Sequence, residues 1–405
     1  MGRWEEIEIE KLIAKPISGE WGKEPNHNED FVQVIRSTNF TNTGHLNLGK
    51  GVARRKIADQ KIEKKKLLLG DIIIEKSGGS PKQPVGRVVY FEIEDATFLC
   101  SNFTSVLRPN ENVDSKYLHY LMFAHHQFKT TLSFQNKTTG IINLQLARYL
   151  KKVKIPLPPL PIQKKIAAIL DAADDYRQKT KAILDKYDEL TQSIFLDMFG
   201  DPFENKKGFK IETLKNLVEK VQIGPFGSQL HVSDYISDGI PLINPMHIHD
   251  LTIKEDYNYS INKKKYDSLP NYHLAQNDII MARRGEMGRC AKITFKEIGW
   301  LCGTGSLFIR PKASINSTFL LYLLSGEGGV KYLTHNAKGV TMKNLNKAII
   351  QNITFGYPDL EKQIKFEKLI ESITVKKETI LVTVKKAEQL FQSLLQRAFK
   401  GELVT

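Results

Sequence analysis

"PPLPIQKKIAAIL…DELTQSIFLDMF" (Pro158 to Phe199) returns about 200 residues later as "PDLEKQIKFEKLI…AEQLFQSLLQRAF" (Pro358 to Phe399). Pro158 aligns with Pro358, Leu160 with Leu360, Gln163 with Gln363, Leu190 with Leu390, Ser193 with Ser393 and Phe199 with Phe399. Solenoid repeats have periods of roughly 20–50 residues, so a period this long means that a whole module is written twice. In the first copy Pro161 suits the opening turn of a helix, where its missing N–H leaves nothing unsatisfied. Behind it Ile162, Ile166, Ile169, Ala173, Tyr176, Thr180, Ile183, Tyr187, Leu190 and Ile194 recur at alternating steps of four and three, a heptad seam. Gly200 and Pro202 stop it. The second copy sets Phe366, Leu369, Ile373, Ile380, Thr383, Ala387, Leu390 and Leu394 in the same register, weakened by Lys362 and Lys376 on the seam. About 38 residues of helix span roughly 57 Å at ~1.5 Å per residue. Two such helices in one chain most simply pair as an antiparallel coiled coil; the alternative is that each lies on its own domain. The pairing residues expected are Ile166, Ile169, Ile183, Leu190 and Ile194 against Phe366, Leu369, Ile373, Ile380, Leu390 and Leu394.

The repeat extends outward from the helices. "GDIIIEKSGGSPKQPVGRVVYF" (Gly70 to Phe91) is answered by "NDIIMARRGEMGRCAKITF" (Asn277 to Phe295), and "LCSNFTSVLRP" (Leu99 to Pro109) by "LCGTGSLFIRP" (Leu301 to Pro311). "KYLHYLM" (Lys116 to Met122) is answered by "FLLYLLS" (Phe319 to Ser325), and "TTGIINL" (Thr138 to Leu144) loosely by "AKGVTMKNL" (Ala337 to Leu345). The order is therefore variable module 1–154, helical segment 155–200, variable module 201–354, helical segment 355–405. Short β-rich runs between Gly, Asn and Ser turns, with helices at about 115–127 and 317–324, give each module an α/β character. Strong matches at the landmarks and weak ones between them suit two copies of one scaffold with different surface loops.

With 41% hydrophobic residues the chain can bury real cores, so global disorder is excluded. Its 59 basic residues against 45 acidic ones leave a net charge of +14, which favours a polyanionic partner without proving one. No apolar run approaches the roughly 18 residues that cross a bilayer, and "MGRWEEIEIEKL" has neither a signal core nor a myristoylation sequence. Cys100, Cys290 and Cys302 lack CxxC spacing and read as small buried hydrophobes of a reducing cytoplasm. The sequon-like Asn102-Phe103-Thr104 carries no weight there.

A rigid helix pair would act as a ruler, holding two reading heads about a pseudo-twofold axis. Duplex DNA is itself pseudo-twofold, and paired heads on it are spaced by whole turns of about 34–36 Å. Each module offers cations for such a role. Lys64, Lys65 and Lys66 precede the first "DII" run, and Lys263, Lys264 and Lys265 the second. The following loops hold Ser77 and then Arg283 and Arg284, and each hairpin closes on Gly-Arg, at Arg87 and Arg289. Loop arginines fork onto guanine or clamp phosphate; solvated surface charge is the plain alternative.

The two-module plan, "VIRSTNF" (Val34 to Phe40), "GDIIIEKSGGSP", "TTGI" and above all "PLPPLPIQKKIAAILD" together resemble the DNA specificity subunit of type I restriction–modification systems (HsdS) across essentially the whole chain. The second helical copy departs from that pattern, lacking the proline-rich lead. The resemblance implies an α/β protein with two related target recognition domains joined by two long helices. It also adds Arg36, Asn39, Thr138, Thr139 and Lys338 to the DNA-binding candidates. It implies a non-catalytic reader of a bipartite sequence in double-stranded DNA, one half per domain. Its partners would be two methyltransferase subunits using S-adenosylmethionine to modify adenine N6, and motor–nuclease subunits using ATP and Mg²⁺. This chain would bind no cofactor itself.

The residues agree with the absence of chemistry. There is no GxxxxGK[ST] loop. "NPMH" (Asn244 to His247) lacks the second proline and the aromatic ring of an amino-methyltransferase motif. His247, His249 and Asp250 read as an ordinary strand rather than a metal site, and Pro358 to Lys362 as a helix start. Two alternatives remain at this stage: a free-standing pseudo-dimeric DNA-binding regulator, and a nuclease or methyltransferase in its own right.

Overall fold

The computed structural model describes residues 4–27, 29–138, 140–339 and 343–404, with the backbone alone at Lys137 and Thr138. They form two compact units, Met1–Lys181 with Val382–Thr405, and Ala182–Leu381. The helices Leu160–Phe199 and Leu360–Phe399 each give one half to either unit.

In the first unit the run Ile72–Glu75 is buried along its length, as an uninterrupted apolar stretch must be, and so lies inside a sheet. It pairs antiparallel with Thr104–Leu107 on one side and Val88–Tyr90 on the other, and Ile17–Ser18 completes the order. A second sheet sets Val32–Ile35 between Ala53–Arg55, antiparallel, and Phe98–Cys100, parallel, with Ile35 beside Cys100. Glu6–Glu8 pairs with Lys154–Pro156, tying the start of the unit to the strand that enters the long helix. Asp114 caps the helix Ser115–Gln127, accepting the Tyr117 N–H at 3.0 Å. Tyr117, Leu118, Leu121 and Met122 of that helix pack with Ile72, Ile74, Ile166, Leu170, Phe391 and Leu395. Each such side chain stabilises the fold by about 1.5–3 kcal/mol on burial.

The second unit repeats these pairings. Ile279–Ala282 lies between Ser306–Pro311 and Cys290–Lys292, and Val218–Ile223 forms the far edge. Ile240–Ile243 pairs parallel with Leu301–Cys302, so Ile243 lies beside Cys302 as Ile35 lies beside Cys100. Lys210–Thr213 pairs with Thr354–Tyr357, and Asn316 caps the helix Ser317–Ser325. Phe195, Phe199, Phe319 and Phe366 form an aromatic cluster with ring centroids 5.0–5.8 Å apart.

Two polar locks recur in both units. Asp71 takes Arg108 in a fork at 2.8 Å and the Leu68 N–H; Asp278 takes Arg310 at 2.8 and 2.7 Å and the Ala275 N–H. Gln163, fully enclosed, accepts the Asp114 N–H and donates to the Pro158 carbonyl, and Gln363 does the same with Asn316 and Pro358. The aligned glutamines thus fasten the start of each short helix to the start of each long one.

The long helices pair antiparallel. In the second unit Asp188 meets Lys377 and Phe199 meets Phe366; in the first, Arg177 meets Glu388 and stacks over Phe391 at 4.1 Å. The seam differs from the sequence expectation by one residue at alternate positions. Ile166, Ala173, Phe366 and Ile373 are buried and Ile194, Ile380 and Leu394 half-buried. Ile183, Leu190, Leu369 and Leu390 are instead exposed, and Ile169 lies at the edge. Their places are taken by the next residues: Leu170, Leu184, Thr191, Ile370 and Phe391. The apolar doublets Ile169-Leu170, Leu369-Ile370 and Leu390-Phe391 permit either register. The polar seam members Arg177, Thr191 and Lys377 conceal the true one, because each is satisfied by a partner that the pattern does not record, local for Arg177 and Thr191 and across the helix pair for Lys377.

Candidate nucleic-acid interface

The candidate cations lie on loops and on the short helices Asp59–Lys65 and Lys263–Asp267, and the structure divides them into those with an internal carboxylate partner and those without one among the described residues. In the first unit Arg87 belongs to the first class. It forks onto Glu75 at 2.9 and 2.9 Å and gives its other donors to the Phe40 and Ser37 carbonyls. Both side chains are nearly enclosed, so Arg87 is held inside the fold. Asn39 is likewise internal. It is fully buried, accepts the Arg36 N–H, and donates to the Asn47 and Gly51 carbonyls. Both placements depend on turns that close only in the fold. Ser77 donates to Asn143 at 2.5 Å. Lys65 pairs with Glu20 and Lys66 with Glu63. Arg36, half-buried, and Lys64, exposed, have no carboxylate partner among the described residues. Thr138 lies in the strand Gln135–Thr138, and Thr139 lies outside the described residues.

In the second unit Lys263 pairs with Asp267 and Lys265 with Asp234, while Lys264 and Lys338 are exposed. Arg283, expected in an open loop, is buried. Its Nε donates to the Leu345 carbonyl at 3.0 Å, and its guanidinium carbon lies 5.7 Å from the Phe226 ring centroid. Burial and the adjacent Arg284 charge hold its pKa below the usual arginine value. Arg284 is exposed, Arg289 half-buried, and neither meets a carboxylate among the described residues.

The two units are equivalent at the loops as well as in the sheets. The Leu144 N–H donates to the Lys76 carbonyl, and the Leu345 N–H to the Arg283 carbonyl. Ser77 pairs with Asn143 where Arg284 bridges to Asn344. The loose match of "TTGIINL" to "AKGVTMKNL" is therefore a true one at its "NL" end. The turn Ser37–Asn39 after Ile35 corresponds to Pro245–His247 after Ile243, with the Asn39 amide oxygen and the His247 Nδ1 each accepting the N–H three residues back. This correspondence explains "NPMH" as a structural turn. His249 likewise bonds locally, to the Met246 carbonyl. Among the described residues no cluster of His, Cys, Asp or Glu is arranged to hold a metal ion. Among the described residues no helix is long and apolar enough to cross a membrane.

Sequence reasoning missed Phe226, which projects 57% exposed beside the arginine loop. Gly224 and Gly19 both sit where a Cβ would strike a carbonyl oxygen, at 2.1 and 2.0 Å, and each precedes a loop beside the candidate cations. Burial lifts the thiols of Cys100 to about 11 and of Cys290 to about 12, so neither is an ionised nucleophile at neutral pH.

The arrangement is two copies of one scaffold, each bearing some cations without a carboxylate partner among the described residues. The family model for the type I restriction modification DNA specificity domain matches residues 1–190 and 234–386. The StySPI type I restriction enzyme specificity subunit of Salmonella potsdam is 25% identical over 404 residues, covering 93% of this chain and 83% of that protein. The type I S subunit from M. genitalium has a similar fold, with TM-score 0.55 at 15% identity over 98% of this chain and 96% of that one. A chain solved in work on complex assembly and conformational transition of the type I R–M system scores 0.59 at 18% identity, covering 99% and 98%. The match of the family model over most of the chain and the repeated two-unit architecture have one reading: the chain belongs to the family of type I restriction–modification DNA specificity subunits.

Proposed function

We propose that this chain is the non-catalytic reader of a type I restriction–modification complex, in which each unit engages one half of a bipartite, gapped target in double-stranded DNA. The carrying observation is that both units bear cations with no carboxylate partner among the described residues, Arg36 and Lys64 in one and Lys264, Arg284 and Arg289 in the other. Phosphate contacts from such residues fix position on the duplex, and loop side chains read the bases. The loops differ between the units, which suits two different half-sites. The long helices display exposed apolar side chains, among them Ile183, Leu190, Val375, Leu381 and Val382. Such surfaces on otherwise charged helices support a scaffolding role toward two methyltransferase subunits and the motor–nuclease subunits. S-adenosylmethionine, ATP and Mg²⁺ would act in those partners, in the cytoplasm.

The test is a single-molecule map of N6-methyladenine in the host genome with and without the gene. Loss of one gapped, two-part motif is the expected result. If the map is unchanged while the partner methyltransferase is present and active, the reading fails.

A further inference from the structure

The repeat makes Glu75 and Ala282 equivalent. Each follows the third apolar residue of its strand, and each donates its N–H to the carbonyl of the arginine across the hairpin, Arg87 and Arg289, at 2.9 Å. Glu75 lies opposite Thr104 and Ala282 opposite Ser306 in matching antiparallel pairs. One difference in side chain therefore changes the state of one arginine. In the first unit the Glu75 carboxylate neutralises Arg87 inside the fold. In the second unit the alanine offers nothing. Arg289 has no ion pair among the described residues, and its Nε is sealed from solvent without a hydrogen-bond partner. Glu286, the acid of the same loop, is exposed and has no ion pair among the described residues.

A guanidinium cannot shed its proton to relieve this, and a half-buried cation without a partner is costly until an anion arrives. We propose that Arg289 is a DNA-phosphate contact of the second unit, and that Glu75 removes the equivalent contact from the first. The inference rests on the DNA-reading function above. It makes the two units unequal: one arginine of the repeat binds outward and its twin binds inward.

The test uses the full chain with Arg289→Gln, Arg289→Lys and Arg87→Gln, each melted thermally and titrated onto a mixed-sequence DNA duplex across a range of salt. Arg289→Gln should melt like the parent and bind several-fold more weakly, with the salt slope reduced by about one. Arg289→Lys should keep the parent slope. Arg87→Gln should melt early, having left Glu75 buried and unpaired, while the protein still folded keeps the parent slope. The proposal is overturned if Arg289→Gln binds with the parent slope and affinity, or if it melts as early as Arg87→Gln, which would make Arg289 structural. Failure of the underlying reading looks different: the parent chain itself would then show no salt-dependent binding to the duplex.

Discussion

Phe391→Ala and Leu390→Ala differ by one position on one helix, and the structure expects them to behave very differently. Phe391 is 1% exposed. Its ring centroid lies 6.2 Å from those of Tyr120 and Phe123, and the Arg177 guanidinium carbon stands 4.1 Å above it. Truncation removes a buried ring and leaves a cavity under a cation, at a cost of about 3–5 kcal/mol. Within that figure the aromatic contacts account for roughly 0.5–1.5 kcal/mol and the enclosed cation–π contact for about 1–2 kcal/mol. Leu390 is 49% exposed. Its loss forfeits part of one side chain's burial and gains helix propensity, so the net effect stays within about 1 kcal/mol. For a unit of this size Phe391→Ala should lower the melting temperature by about 10 °C. The assay is urea and thermal unfolding of the full chain followed by circular dichroism. Protease digestion at intermediate denaturant would identify which unit opens, since two units need not unfold together. If Leu390→Ala proved as damaging as Phe391→Ala, the seam would run through 369, 376, 383 and 390 and the packing argued here would be wrong.

Acid should weaken the first unit before it affects any carboxylate. Burial, with the nearby His45 charge, takes the His119 pKa down to about 4, and burial alone does the same for His125. Both are neutral in the fold. The unfolded chain begins to take up protons near its ordinary value of about 6.5, so stability falls from there toward pH 4, by up to ~3 kcal/mol per histidine. Urea midpoints at pH 7 and pH 5 measure this, and equal midpoints would contradict it. Gln163→Leu and Gln363→Leu should each cost about 1–3 kcal/mol by orphaning a buried N–H and a buried carbonyl. Amide exchange should report the loss locally, at 114–127 for one and at 316–325 for the other; protection unchanged in both helices would show that the glutamines fasten nothing.

The sequence made the repeat legible, and with it the order of strands and helices, because Ile72-Ile73-Ile74, Leu99-Cys100 and Pro158 to Gln163 each have a partner about 200 residues on. Helix type and length were readable from Pro161, Pro358 and Gly200. The register of the helix pair was not, since adjacent apolar residues such as Leu390 and Phe391 leave the buried one undecided until Tyr120, Phe123 and Arg177 arrive from elsewhere in the chain. The candidate interface was legible as a set of cations and not as a site. Arg87 and Arg289 look alike in "GR". What separates them is a residue 12 positions before one and seven before the other, across hairpins of different length. Asn39 passed for a reading residue because buried and exposed asparagines have the same letter; its two carbonyl acceptors lie eight and 12 residues away.

The division of the long helices between the units has a consequence for synthesis. Residues 182–381 are one continuous stretch and supply every side chain in the second unit's main core, whereas the first unit's core includes Phe391, Leu395, Ala398 and Val404. The part made first therefore cannot finish first. At roughly 5–20 residues per second, ribosomes would leave the earlier unit open for about 10–45 s after its first 181 residues are joined. During that interval Tyr120 and Phe123 lack the Phe391 ring that packs on them, and the core around Ile166 and Leu170 lacks Leu395 and Ala398. The chain in effect folds from the inside outward, and its most vulnerable species is a half-made one in which the later unit is already closed.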